Sequence, residues 1–559
     1  MPASLDLMFA EGLTEPFASD LQERIESLLL PAAARYFEPE GTAYSQNDPS
    51  LKRLEMAVNY FDYQPCAVST LALIASRGDR SAEMLVRTIF ENAAYYLDEW
   101  RGREGYTTSL RRSQLHLVLA YETLRDDVES SLAERWRALL LRSAADMLDH
   151  FNHLKEKTPA LDNRSFGTGI NHVAIAAEGI WRTGFALDQP DLCELSGSLI
   201  DRLVAYGHPD GYFEEHTNDE REGGPSLVYT SLTAGCAYVV QNWRECADLD
   251  RFAKCGALFR SFCDHSLAVL PISDERANPK VLGPYGVALH ALSPEGRGYL
   301  RAALDPERNP LLSSNGRLEY LSRLHFELGM CKLGSGSIPE PFIDGAFRIS
   351  LPIGVQRSHG WTAAVSGLRA LNRDIATNSD YALDRQSLVS LSHKTAGTIL
   401  SGAKSKKDPS WSTLRSDEDA YPVRTGTLDE DFTATAHYQS FTGTVKWELA
   451  DEAKLTLRSS NTTVTAAQLT LEASRGATLY CDGQKVQLGD DPIVVDDVRS
   501  VKTEHWTVKT SIPGKLDWYI APYNPYSEGN VSAPSSRRPV LRLPFEEEMT
   551  FTFRATGQP

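Results

Sequence analysis

Apolar and polar residues alternate with the period of α-helices from about residue 20 to residue 330. In residues 81–97 and 131–151, apolar positions recur three and four apart, which predicts amphipathic helices with one buried face. Residues 172–185 are almost all small and apolar, so we expect a helix that is buried on most sides. A further helix is predicted at residues 195–206. This succession of helices indicates an α/α toroid or a helical array.

The period changes from helical to strand-like beyond the helical region. Residues 332–342 are rich in Gly, Ser and Pro, a composition typical of a linker. Short runs with a period of two follow, and Asp482-Gly483 between two of them predicts a tight hairpin turn. We therefore predict a multidomain protein, α then β, with a helical domain in residues 1–331 and an antiparallel β-sandwich in residues 343–559.

The alternating runs also locate individual strands. They predict strands at residues 347–351, 443–449, 454–458, 464–471, 477–488 (a hairpin), 501–512, 515–520, 540–543 and 549–554. Residues 401–423 are polar and irregular, so we expect a long loop over the helical domain.

The charge of the chain limits its partners. A net charge of −18 argues against nucleic acid or an anionic membrane as a partner, and no apolar run approaches the roughly 18 to 20 residues that span a bilayer. An acidic protein that binds an anionic saccharide must gather its Arg and Lys residues in the cleft. We therefore expect a short oligosaccharide rather than a long polyanion as the substrate.

Cysteine spacing and the first residues bear on cofactors and compartment. The eight cysteines are scattered without a C-x-x-C pair, so we expect reduced, mostly buried thiols and predict no metal and no cofactor. Residues 1–16 carry Asp6, Glu11 and Glu15 and no basic residue, which is unlike a secretory leader and predicts a cytoplasmic protein. The sequence is compatible with a homo-oligomer.

Three helix beginnings carry polar residues suited to chemistry. A polar loop delivers Asn171 and His172 to the start of a buried helix, and a Gly-rich loop presents Tyr229 at the start of another. Gln114 and His116 lie near the start of a third. Each has a structural interpretation, since Asn commonly caps helices and buried His and Tyr often only pack. The pair Arg111-Arg112 is interpreted as solvated surface.

Taken together, these segments resemble the heparinase II/III-like superfamily of polysaccharide lyases, and most closely its families 15 and 17, the alginate and oligoalginate lyases. The matching residues are Asn171-His172, Asp210-Gly211 with Glu214, and Tyr229, which follows His172 by 57 positions. The Y-H-x-Y pattern of those families is replaced here by Val228-Tyr229-Thr230. The resemblance implies an incomplete (α/α) toroid followed by antiparallel β-sheets.

The resemblance also implies an activity: cleavage of a uronic-acid glycosidic bond by β-elimination, which leaves a 4,5-unsaturated uronate end. Removing the C5 proton drives charge onto the uronate carboxylate, which a donor must neutralise, while other groups move the proton and protonate O4. The resemblance assigns neutralisation to Asn171, helped by His172, and base or acid duty to Tyr229. The partner is then a uronate-containing oligosaccharide or polysaccharide.

Further site residues are expected around these three. Substrate-binding residues are expected at Gln114, His116, Asn163, Arg164, Glu214 and Arg221, with Gln114, Asn163, Arg164 and Arg221 as hydrogen-bond donors. The related lyases also bring a His or Tyr from the β-domain into the cleft. The candidates here are His359, within the sugar-contacting tip Arg357-Ser-His-Gly-Trp361, and Tyr421.

Two other classes of function remain open on the sequence. An (α/α)-toroid glycoside hydrolase would use a pair of carboxylates on either side of the scissile bond. The carboxylates available to it are Asp210, Glu214, Glu215, Asp219 and Glu220. A non-catalytic saccharide-binding protein would need neither carboxylates nor a proton carrier.

Overall fold

A computed structural model describes most of the chain in two compact units. It describes residues 16–36, 64–100, 111–155, 169–214, 224–270, 272–273, 282–307, 309, 312, 318–331, 342–370, 386–400, 412–417, 419–460, 466–520, 537–544 and 547–556. The first unit comprises Met1–Asp219, Val228–Ala257 and Leu282–Pro341, and the second comprises Glu220–Leu227, Leu258–Val281 and Phe342–Pro559. The predicted linker, apart from Phe342, lies outside the described residues.

Twelve α-helices precede the first strand among the described residues, which confirms the predicted order of α then β. They are α1 Pro16–Tyr36, α2 Val68–Ser76, α3 Arg80–Trp100, α4 Arg111–Leu124, α5 Ser130–Lys155, α6 Ile170–Ala186, α7 Pro190–Tyr206, α8 Leu227–Trp243, α9 Leu249–Ser261, α10 Val287–Ala291, α11 Pro294–Ala303 and α12 Leu318–Gly329. None of these helices combines the length and apolarity that crossing a membrane requires.

The helices of the first unit alternate between an inner and an outer type. The inner helix α6 buries 14 of its 17 residues, and α12 buries all 12. The outer helix α7 buries six residues along one stripe, and it packs against α6. Because α3 packs on α2 and α11 on α10 in the same way, the unit is built of helix pairs, as a toroid requires.

Small residues and one long-range contact close this arrangement. A β-carbon at Gly179 of α6 would meet the Gln114 side chain of α4 at 2.9 Å, so these inner helices approach too closely for a larger residue. At the ends of the ring, α1 packs on α12. There Glu26 pairs with His325 at 3.1 Å, and Gln22 Nε2 donates to the His325 carbonyl at 3.2 Å.

A buried ionic cluster, which we call the Arg323 cluster, joins three inner helices. Arg323 of α12 pairs with Glu178 of α6 at 2.7 Å and with Glu327 at 3.0 Å, and all three side chains are almost fully buried. Glu327 also accepts the backbone N–H groups of Gly286 and Ala288, at the start of α10. Burial opposes the Arg323 charge, but the two carboxylates outweigh it and raise the pKa of Arg323 well above its usual range.

The second unit contains two antiparallel sheets. Their strands are β1 Gly345–Arg348, β2 Ile353–Ser358, β3 Trp361–Ser366, β4 Val389–His393, β5 Gly397–Leu400, β6 Leu414–Arg415, β7 Arg424–Leu428, β8 Thr433–His437, β9 Thr442–Leu449, β10 Ala453–Ser459, β11 Ala466–Thr470, β12 Thr478–Cys481, β13 Gln484–Gln487, β14 Ile493–Lys502, β15 Trp506–Ile520, β16 Arg538–Pro544 and β17 Glu548–Ala555. In the described residues β1 to β5 form one sheet in sequence order. The other twelve strands form the second sheet, with the path β13-β12-β14-β15-β17-β10-β9-β8-β7.

The predicted hairpin is present, and two of the sequence expectations need correction. Asp482 and Gly483 both have positive φ, at 48° and 88°, and join β12 to β13 as a tight turn between twisted strands. The run 501–512 is not one strand, because β14 ends at Lys502 and β15 begins at Trp506. The described part of 401–423 is not all loop: Leu414 is buried in strand β6, which pairs with β11.

The Arg323 cluster leads to a prediction about stability. Arg323→Met removes the one cation between two buried carboxylates, and breaking a buried pair in this way costs about 3 to 5 kcal/mol. Arg87→Met is the matched control, because Arg87 pairs with Glu83 at a half-exposed position of the same unit and should cost at most about 1 kcal/mol. Urea unfolding followed by circular dichroism measures both. Equal losses for the two variants would contradict the role assigned to Arg323.

Candidate active site

The inner helices run parallel. Between α6 and α8, the Cys236 thiol lies next to the Glu178 carboxylate, and further along both helices the rings of Trp181 and Trp243 stack at 5.5 Å. The order of the two contacts is the same on each helix, so α6 and α8 run in the same direction.

Helices α4 and α12 are also parallel. Arg112 pairs with Glu319 at 3.0 Å. One turn later on each helix, His116 lies near Arg323. Burial, followed by the positive charge of Arg323, lowers the pKa of His116 to about 3. Helices α4 and α6 are parallel as well, because Arg112 acts on His172 and, ten residues later on each helix, Glu122 pairs with Arg182 at 2.8 Å. The N-terminal ends of α4, α6, α8 and α12 therefore lie at the same end of the unit.

This shared direction places the predicted catalytic residues near the starts of two helices that begin at the same end of the unit. Asn171 precedes Glu178 by seven positions, and Tyr229 precedes Cys236 by seven. Seven residues make nearly two helical turns, so each pair shares a helix face. Asn171 and Tyr229 therefore lie in the first turns of α6 and α8, each about two turns before Glu178 and Cys236.

Besides the Arg323 cluster, a second buried ion pair lies near the N-terminal ends of α4 and α12. Glu319 lies one turn above Arg323 on α12, where it pairs with Arg112 and accepts a hydrogen bond from Tyr285 Oη at 3.3 Å. Arg112 is 8% exposed and Arg111 is half-buried, so interpreting the pair as solvated surface was wrong. The polar side chains at this end form what we call the N-terminal cluster: Arg111, Arg112, Asn171, His172, Tyr229, Tyr285 and Glu319.

The charges of the cluster keep His172 neutral. Burial, and then the charges of Arg111 and Arg112, hold the pKa of His172 well below 6.5. Burial and then the carboxylate of Glu319 raise the pKa of Tyr285 well above its usual range, so that phenol stays protonated. With helix N-termini that carry partial positive charge, the cluster suits an anionic group.

Asn171 does not cap its helix. The N-cap of α6 is Gly169, no side chain accepts a cap hydrogen bond there, and Asn171 lies inside the first turn. Its side chain is 1% exposed, and its Oδ1 accepts no hydrogen bond from any residue that the structure describes. A buried amide oxygen without a donor is costly, at about 1 to 3 kcal/mol, and calls for an explanation such as a functional role.

Two other predicted site residues of the helical unit lie inside it. Gln114 is fully buried and donates to the Leu140 carbonyl and to Thr183 Oγ1. His116 is buried and bonds Ser69 Oγ at 2.7 Å through Nδ1. Their burial argues against direct donation to a substrate.

The segment with Glu214 is bound to the start of α8. The Thr230 hydroxyl bonds both the backbone N–H and the carbonyl of Phe213, each at 3.1 Å. Glu214, which follows Phe213, is buried at 4% exposure. The two segments that the sequence singled out, around Glu214 and Tyr229, therefore lie side by side.

The predicted sugar-contacting tip of the second unit needs correction. Trp361 is 1% exposed and packs against His393 with ring centroids 4.6 Å apart, so it cannot stack on a sugar. Arg357 donates to the carbonyls of Ser261 and Cys263, each at 2.8 Å, which commits its guanidinium to the fold.

His359 and Tyr421 have less buried surroundings. His359 is exposed at the β2–β3 turn, with a φ of 55°, and its Nδ1 lies 2.8 Å from Ser358 Oγ. Tyr421 is half-buried, and burial followed by the charge of Asp419 raises its pKa. The remaining predicted residues, Asn163, Arg164 and Arg221, lie outside the described residues.

The sequence interpretation missed Tyr285 and Glu319 and misassigned Arg112. The sequence contained only a weak indication of these residues: Arg112 and Glu319 are charged residues at the beginnings of helices that are otherwise buried. A charged residue in such a helix needs a partner, and that partner is distant in sequence.

Solved structures of known proteins match this chain along most of its length. The chondroitin AC lyase of Streptomyces coelicolor A3, as its Y253A mutant, superposes with a TM-score of 0.54 at 12% identity, covering 100% of this chain and 83% of that one. The same lyase in complex with chondroitin sulphate gives 0.52 at 11% identity, covering 99% and 83%. A xanthan lyase from Paenibacillus gives 0.47 at 12% identity; the match covers 96% of this chain but only 60% of that protein.

These comparisons establish the fold. The chain has the helical toroid and antiparallel sheets of the chondroitin AC lyase, which confirms the expected likeness to polysaccharide lyases at the level of architecture. The comparisons show no particular nearness to families 15 and 17. No protein-family model matches the sequence, and a sequence search of characterised proteins found no match.

The N-terminal cluster leads to a prediction about His172. Its imidazole should stay neutral down to a pH well below 6.5, because protonation is opposed by burial and by two neighbouring guanidinium groups. Arg111→Gln should raise the pKa of His172, while Arg111→Lys, which keeps the charge, should leave it depressed. Proton NMR titration, with the resonance assigned through His172→Gln, measures this pKa. A wild-type midpoint near 6.5 would show that the two arginines do not act on His172.

Proposed function

We propose that this protein is a polysaccharide lyase that cleaves a uronic-acid glycosidic bond by β-elimination. The observation that supports the proposal is that α6 and α8 begin at the same end of the unit, with Asn171 in the first turn of one helix and Tyr229 in the first turn of the other. A neutral histidine and two arginines lie beside them, in a fold shared with a chondroitin AC lyase. A uronate has the anionic group that such a cluster favours.

Asn171 and His172 would neutralise the substrate carboxylate. When the C5 proton leaves, negative charge moves onto the carboxylate, and donors already fixed in place stabilise that charge without reorganising. The Asn171 amide and a neutral His172 N–H are such donors. Arg111 and Arg112 add positive charge close to this position, and the N-terminus of α6 contributes its dipole.

Tyr229 would carry the proton. As a phenolate it takes the proton from C5. The electron pair then forms the C4–C5 double bond as the C4–O4 bond breaks, and the phenol returns a proton to O4. The positive charges of Arg111 and Arg112, at the same end of the unit, would stabilise the negative charge of the phenolate form.

The product distinguishes the competing functions. A lyase forms a conjugated C4–C5 double bond that absorbs in the ultraviolet, whereas a glycoside hydrolase forms reducing ends without one and a binding protein forms neither. We expect the ultraviolet signal on at least one member of a panel of chondroitin sulphate, xanthan, heparan sulphate, alginate and their oligosaccharides. Reducing ends without ultraviolet absorbance would assign the protein to the hydrolases.

Two substitutions test the assignment of roles. Asn171→Ala and Tyr229→Phe should each lower kcat at least about 100-fold, equivalent to about 2.7 kcal/mol of transition-state stabilisation, without lowering the melting temperature. The matched controls are Tyr121→Phe, at a buried tyrosine of α4, and Asn242→Ala, at an exposed position near the end of α8. If either site variant keeps activity within about threefold of wild type, its residue does not have the proposed role.

A further inference from the structure

One face of the larger sheet presents an exposed tyrosine between two lysines. Tyr480 of β12 is 41% exposed, while its neighbours Leu479 and Cys481 point into the core. In the strand register it stands opposite Lys485 of β13 on one side and Lys502 of β14 on the other. The Tyr480 side chain has no hydrogen bond or ring contact with any residue that the structure describes, so packing does not account for its position.

The same row continues across two more strands. Lys502 stands opposite Thr507 of β15, and Thr507 opposite Arg554 of β17. A parallel row, two residues along each strand, runs through Ser500, Lys509 and Thr552. Apart from Lys485, which lies beyond its edge, the residues of these rows line a groove of about 490 Å³ with hydroxyl and cationic groups.

Some cationic side chains of the larger sheet form ion pairs with carboxylates, and others do not. Elsewhere on the sheet Arg458 pairs with Glu548 and Lys446 with Asp431. In the groove Glu452 is bound to Arg554, and beside it the Asp482 carboxylate accepts a hydrogen bond from Ser500 Oγ at 3.0 Å. Lys502 and Lys509 form no ion pair with any residue in the described part of the chain. Two unpaired lysines side by side, in a protein of net charge −18, are a local excess of positive charge that favours an anionic ligand.

We propose that this face, which we call the Tyr480 face, binds an extended anionic polysaccharide as a site separate from the N-terminal cluster. A pyranose ring stacks on Tyr480, the lysines bind its carboxylates or sulphates, and the Thr and Ser hydroxyls bind its hydroxyl groups. Lys485 and Lys502 are two strand spacings apart, about 10 Å, which is comparable with the length of a disaccharide. One charge per disaccharide fits this distance better than the denser phosphates of nucleic acid.

Such a site would bind long polymers more tightly than short fragments. Where the protein cleaves a polymer, the Tyr480 face would hold the long chain between successive cleavages, so the expected substrates include long chains as well as short oligosaccharides. The inference rests on the chemistry of this face alone, and binding here does not require the lyase activity proposed above.

Affinity electrophoresis of the full-length protein tests the proposal. Native gels would contain alginate, chondroitin sulphate or xanthan, with dextran as the neutral polymer and single-stranded DNA as the other polyanion. We expect wild type to be retarded by at least one anionic polysaccharide and not by dextran. Tyr480→Ala and the double variant Lys502→Glu/Lys509→Glu should each lower the affinity at least tenfold. The charge-matched control is Arg135→Glu/Lys254→Glu, at exposed positions of α5 and α9, and it should bind like wild type.

The gel results either support or overturn polysaccharide binding by the Tyr480 face. Retardation of the Lys502→Glu/Lys509→Glu variant equal to that of the control overturns the proposal, as does a wild type that no anionic polysaccharide retards. DNA retardation as strong as that by polysaccharide reassigns the face to nucleic acid and also overturns it. Turnover of a short oligosaccharide should be unchanged in both double variants. A failure of the lyase proposal leaves the gel result intact, so the two proposals can fail separately.

Discussion

The guanidinium of Arg323, buried between Glu178 and Glu327, is the constraint on which the helical unit depends. Three charges removed from water are tolerated only when each meets a partner with good geometry. Sliding α6 or α12 by one turn would leave a charge unpaired, so the pairing fixes the register of these helices. The two backbone N–H groups bound by Glu327 extend the constraint to the start of α10.

The chemistry at the N-terminal end follows from that register. Because the helices are parallel, their positive ends lie at the same end of the unit, where Arg112 pairs with Glu319 and acts on His172. The neutral state of His172 is a consequence of this arrangement, since the guanidinium groups on α4 oppose its protonation. A protein with a large net negative charge thereby acquires a local environment suited to an anion.

The sequence predicted the architecture because periodicity reports on burial, and burial defines the layers. It also located Asn171, His172 and Tyr229, since loop-to-helix junctions are visible locally. It did not show that Arg112 meets Glu319, because the two are more than two hundred positions apart and each stands in a different apolar helix.

The sequence was misleading at the β2–β3 hairpin. Arg357 and Trp361 are close neighbours in the chain, so they were expected to act together at its tip. The two-residue turn instead sets Arg357 opposite Thr362 and Trp361 opposite Ser358. Adjacent positions on a strand point to opposite faces, so the two side chains diverge.

The contact between the first and last helices of the ring has a consequence for biosynthesis. Glu26 and His325 are 299 positions apart, and at a synthesis rate of about 5 to 20 residues per second the ribosome needs about 15 to 60 s to reach the second from the first. During that interval Leu21, Ile25 and Leu29, which α12 helps to bury, lack their final partner. The nascent chain therefore exposes the apolar stripe of α1 throughout that interval, and a holding chaperone that covers this stripe would protect it from aggregation.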